Sequence, residues 1–135
     1  RLVGQYPVPG GTEMQACPGL VEQVERGDLD SPATRALIER YVRPLVGKGA
    51  DTIVLGCTHY AFLEPAIREV AGADVAVIDP APAVARELRR RLSGASILAP
   101  DDAVATETYL TTGDAAQASR VMSLLLGRPI TVGPV

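Results

Sequence analysis

The chain has 135 residues, 47% of them hydrophobic and 21% charged, enough for one compact domain with a substantial core. Thirteen basic against sixteen acidic residues leave a net charge of -3, which argues against a nucleic-acid partner, and 4% aromatic residues with no tryptophan argue against a base-stacking platform. The longest uncharged run, Thr52 to Leu63, is far shorter than the roughly 20 apolar residues of a membrane helix.

Residues 1–5 read as the end of a helix, and the opening lacks a methionine, so the expectation is a piece of a longer protein. No secretion signal is visible, and two cysteines make no disulfide framework, so a cytoplasmic setting is expected. "EMQACP", 13–18, reads as the first strand, stopped by Pro18. "PGLVEQVERG" follows as a helix ended by Gly27, with Leu20, Val21 and Val24 at helical spacing. A second helix is announced by Asp30 or Ser31 as cap and Pro32 at the first helical position. Its apolar stripe runs through Ala33, Leu37, Ile38, Tyr41, Val42 and Leu45; Pro44 is expected to kink its last turn, and Gly47 and Gly49 to close it.

"DTIVLG", 51–56, is apolar without alternation, the mark of a strand covered on both faces in a parallel sheet. A helix is expected over about 60–70, then a similar strand, "DVAVID", over 74–79. "PAPAVARELRRRL" resumes helix to Ser93-Gly94, and its basic run at 86–92 reads as a solvated face. After a looser stretch, "ETYLTTGD" is a strand and turn, with a strand over 107–111. Asp114 caps a last helix, and "RPITVGPV" supplies one short strand. The alternation predicts an α/β fold, a doubly wound parallel sheet sandwiched by helices, with 13–17, 51–56 and 74–78 in one sheet.

In such a sheet the loops beyond the strands' carboxyl ends form the ligand crevice. Gly56-Cys57-Thr58-His59 falls there, before a helix start that would favour an anion or a thiolate. A thiol with the chain's only histidine two residues on can be a catalytic pair, and it can equally be a core cysteine beside a stray histidine.

"DTIVLGCTHYAFLEPAI" resembles the signature of the glutamate racemases within the aspartate/glutamate racemase family, with Ala61 where a proline is usual. "QACPGLVEQVERG", "VAVIDPAPAVARELRRRL" and "LTTGD" resemble further segments of the family in the same order. The resemblance implies interconversion of L- and D-glutamate for peptidoglycan, with no cofactor and no metal, by one cysteine on each face of the substrate. It implies Cys57 as one acid–base thiol and His59 as its helper. It also implies Thr58 as a substrate contact, His59 near the substrate, and Glu25 as an acidic site residue, the last on a looser alignment. The loop of the opposing cysteine is absent, as are the family's N-terminal aspartate-serine and proline-tyrosine-glycine motifs. Cys17 reads as packing rather than as that second thiol.

The resemblance thus implies the second α/β domain at residues 1–100 and, at 103–135, a strand-helix segment returning to a first domain that is missing. The expected partners are glutamate and that N-terminal domain, with a homodimer left open and neither nucleic acid nor membrane involved; alone, the chain is expected to be inactive. Aspartate or hydantoin racemization and decarboxylation by a single cysteine are neighbouring readings. A cysteine-histidine hydrolase and a non-catalytic α/β domain that packs on a partner are more distant ones.

Overall fold

The computed structural model describes residues 10–135, so the helix end expected at 1–5 lies outside the described residues. Two helices precede the first strand: α1, Leu20–Glu25, and α2, Pro32–Gly47. β1 is Thr52–Val54, a 3-10 helix spans Thr58–Leu63, and α3 is Glu64–Ala71. β2 (Ala76–Ile78), α4 (Ala81–Gly94), β3 (Tyr109–Thr111), α5 (Ala115–Leu126) and β4 (Val132–Pro134) complete the order.

Both sheets are parallel pairs. β1 pairs with β2 in the register Thr52–Ala76, Ile53–Val77, Val54–Ile78, and Leu55 N–H extends the ladder to Ile78 O at 2.9 Å. β3 pairs with β4, Tyr109 opposite Val132 and Thr111 opposite Pro134. Each pair is joined through helix, as parallel strands require. The α/β class with parallel strands and helices therefore holds.

One expected strand does not form. Residues 13–17 are irregular, and among the described residues no strand pairs with them. A strand exists only where its backbone groups find a ladder. Here Glu13 to Ala16 lie on the surface, where Glu13 pairs with Lys48 and the Gln15 side chain donates to Ala16 O at 2.6 Å. The three-stranded sheet of 13–17, 51–56 and 74–78 is thus a two-stranded one. Its faces also differ: Val77 is buried, whereas Val54 and Ile78 are 60% and 46% exposed. The unalternating apolar run marks residues able to be covered on both sides, and in this chain one side is covered.

The helix expected over 60–70 is divided. Pro65, at the start of α3, has no N–H to offer the preceding turn, and Thr58–Leu63 closes as a 3-10 helix before the α-helix begins. Elsewhere the capping signals operate as the sequence suggests. Ser31 Oγ accepts from Thr34 N–H at 3.2 Å with Pro32 at the first helical position, and Asp114 Oδ1 accepts from Gln117 N–H at 2.8 Å. Pro44 lies inside α2, which continues to Gly47.

The core gathers Leu20 and Val24 of α1, Ile38, Tyr41 and Val42 of α2, and Leu55, Leu63, Ile67 and Val77 from the β1–α3–β2 unit. Its centre therefore lies where α1, α2 and the 3-10 helix meet behind the tip of β1. The C-terminal unit is tied differently: Ser119 and Ser123 of α5 accept the N–H groups of Val132 and Ile130, each at 2.9 Å. α4 buries no side chain.

Candidate functional site

Cys57 stands three residues beyond the end of β1, in extended backbone at the cap of the 3-10 helix, with Tyr60 N–H bonded to its carbonyl at 3.0 Å. The turn that follows carries His59 back toward it, so that Cys57 Sγ and His59 Nδ1 lie 3.8 Å apart. On the other side of the ring, Nε2 is 2.6 Å from Glu25 Oε1, on the last residue of α1. Thiol, imidazole and carboxylate thus form one row assembled from two elements 34 residues apart in sequence.

The row has a defined polarity. A carboxylate accepts, so the proton of a neutral His59 ring sits on Nε2 and the Nδ1 lone pair faces the thiol. Nδ1 can then take the Cys57 proton, leaving a thiolate beside an imidazolium whose far side is held by Glu25. The thiol and the ring are partly buried; Glu25 is largely exposed, and its one side-chain hydrogen bond among the described residues is to His59.

Thr58 lies between Cys57 and His59, exposed at the surface. The structure therefore brings together Cys57, His59 and Glu25, and leaves Thr58 facing solvent next to them. Cys17 is a free, half-buried cysteine packed against the core, its Sγ 3.5 Å from Gln15 O. Burial pushes its thiol above the ordinary range, outweighing the opposing Tyr60 hydrogen bond, the reverse of what a nucleophile or base needs. Among the described residues no cluster of histidine, cysteine and carboxylate has the makings of a metal site.

Two residues that position the row carry no sequence signal of that role. Tyr41 donates to Pro18 O at 2.7 Å and Tyr60 to Cys17 O at 3.4 Å, fixing the segment that leads into α1 and hence Glu25. Tyr41 reads in the sequence as one more member of an apolar stripe, and its hydroxyl bond depends on a partner 23 residues away.

Fold and site together define an α/β domain with a thiol–imidazole–carboxylate row beyond the carboxyl end of a parallel strand. A profile of the Asp/Glu/Hydantoin racemase family matches residues 11–88, which include all three members of the row, and the chain belongs to that family. It is 53% identical over 124 residues to a glutamate racemase of Methylococcus capsulatus, covering 92% of this chain and 46% of that protein. A glutamate racemase isoform of Bacillus anthracis, solved by crystallography, superposes with a TM-score of 0.80 at 34% identity, over 90% of this chain and 45% of the other. The glutamate racemase of Francisella tularensis, solved in complex with D-glutamate, shares the fold with a TM-score of 0.76 at 20% identity, over 90% and 46% of the two chains. The chain thus spans about half the length of the relatives it matches. It is homologous to an isomerase.

Proposed function

We propose that this chain carries one half of a glutamate racemase site, with Cys57 as the acid–base group for one face of the α-carbon. The observation that carries the reading is the Cys57–His59–Glu25 row lying within the residues matched to the family. His59 accepts the Cys57 proton, and Glu25 steadies the resulting imidazolium. The thiolate takes the α-proton; the electron pair left on the α-carbon then receives a proton from an acid on the opposite face, and the centre inverts. No redox change and no cofactor enter this balance. Thr58, exposed beside the row, is available to a substrate carboxylate or amine.

Inversion requires acid and base on opposite faces of one carbon, and Cys17, pushed up by burial, is a poor second thiol. In this reading the opposing group comes from an N-terminal domain outside residues 1–135. Residues 1–100 then belong to the second domain and 103–135 to a segment that returns to the first. The role is supply of D-glutamate for peptidoglycan in the cytoplasm.

The test is to assay the 135-residue chain alone and with the N-terminal half of a matched racemase, fused or added in trans, by polarimetry and a coupled D-glutamate assay. The expected outcome is no racemization by the chain alone, activity on reconstitution, and its loss in Cys57→Ser, where the hydroxyl stays protonated near neutral pH. Robust turnover by the isolated chain, or full activity in Cys57→Ser, would overturn the assignment.

A further inference from the structure

We infer that Leu124 of α5, acting through Gly27, is a positioning residue for Glu25, so that the C-terminal helix sets the aim of the carboxylate on His59. The inference rests on the racemase reading only for its catalytic consequence; the geometry stands by itself. Glu25 closes α1, a helix of six residues, and Gly27 turns the chain away from it with φ +75°. Gly27 N–H bonds to Val24 O at 2.8 Å and Asp28 N–H to Gln23 O at 2.9 Å, making residues 25–28 one tight corner.

Contacts from outside hold that corner on two sides, the α2 side including the Thr34 hydroxyl, which donates to Asp28 O at 3.1 Å. On one side the Asp28 carboxylate accepts from Ser31 Oγ at 2.7 Å and Ser31 N–H at 3.1 Å, anchoring it to the start of α2. On the other, the Leu124 Cδ2 methyl lies so close to Gly27 that an added β-carbon there would stand 2.9 Å from it. Glycine leaves this approach open and adopts the positive φ without strain, whereas a β-carbon would strain the backbone and make the Leu124 side chain turn aside. Open depressions of about 210 and 370 Å3 flank this contact, both lined by Gly27 and Leu124. The Glu25 side chain is 64% exposed, and its aim is therefore set by the backbone of the corner rather than by packing.

Leu124 is itself 56% exposed, so shortening it removes the contact with little loss of buried surface. That separates positioning from folding. His59 is the chain's only histidine, so its ring nitrogens give a single set of correlations in an 15N spectrum. Glu25→Ala supplies the reference shift for an Nε2 without its carboxylate. Leu124→Ala is expected to move the Nε2 resonance in the same direction, Gly27→Ala to do so as well by straining the positive φ and turning the Leu124 side chain aside, and Leu126→Ala, on the exposed end of the same helix, to leave it in place. In the reconstituted enzyme, Leu124→Ala is expected to lower kcat by about ten- to a hundredfold, with KM little changed and the pH–rate profile altered. A Leu124→Ala ring spectrum that overlays the parent, or an equal shift in Leu126→Ala, overturns the inference. A reconstituted parent without racemase activity would instead sink the racemase reading and leave the spectral comparison intact.

Discussion

The two cysteines of this chain are chemically distinct because of what surrounds them. Cys57 faces an imidazole nitrogen, whereas Cys17 sits against the core with its thiol pushed up by burial. Alkylation of the native protein at pH 8, followed by mass spectrometry, should therefore label Cys57 well before Cys17, and denaturation should remove the difference. The burial of Cys17 also has a pH signature. A folded-state value above the unfolded one means that the native state holds the proton longer, so stability falls as pH rises. The Cys17 contribution is intact below the ordinary thiol range, about 8.5, and lost as pH climbs through the folded value. Urea midpoints measured from pH 7 to 10 should show this alkaline decline, and Cys17→Ala should flatten its first part. Tyr60, also raised chiefly by burial, adds a later component that the Cys17 variant retains.

At the scale of elements, the start of α2 and the 3-10 helix bear most directly on the site. The Asp28 carboxyl is held below its usual range, first by the Ser31 hydroxyl. A depressed folded-state value gives the opposite sign from Cys17: the contribution is present above about pH 3.9 and lost as pH falls through the folded value. Asp28→Ala should remove that acid-side slope in denaturation curves taken between pH 2 and 6. Ser31→Ala, which deletes the cap itself, should cost about 1 kcal/mol at neutral pH. Leu63, fully buried at the end of the 3-10 helix, closes the turn that carries His59. Leu63→Ala should cost about 2–5 kcal/mol in equilibrium denaturation, the usual range for an aliphatic truncation that leaves a cavity.

Across the whole molecule, several large apolar side chains are exposed among the described residues. Val54 and Ile78 on the sheet and Val84 and Leu88 on α4 all lie open, and α4 buries nothing. Surfaces of this kind bind apolar dyes and promote association. The native chain should therefore bind a fluorescent apolar probe with its cooperative unfolding transition intact. The pair Val54→Thr and Ile78→Thr, which keeps the strand-favouring branch while adding a hydroxyl, should weaken that binding with little change in stability. Equal dye binding in the substituted protein would show that the probe reads some other surface.

Much of this was legible in local chemistry. Ser31 with Pro32, and Asp114, mark helix starts because a side-chain oxygen can satisfy an orphan amide within its own turn. The apolar runs at 52–55 and 75–78 mark strands, and Gly56-Cys57-Thr58-His59 falls beyond the first of them because loops after parallel strands open on the crevice. What residues 13–17 become was not legible, since a strand is a property of two segments and their partner is not written in their own composition. The 3-10 break before Pro65 had a local cause that a search for helical periodicity passes over. The bond between His59 and Glu25, and the seat of Leu124 on Gly27, join residues 34 and 97 positions apart, and only the packing of α1 and α5 brings them together. The sequence by itself determined the elements and the reactive residue types; tertiary structure decided which of those residues meet, because contact between distant segments depends on the whole core that folds between them.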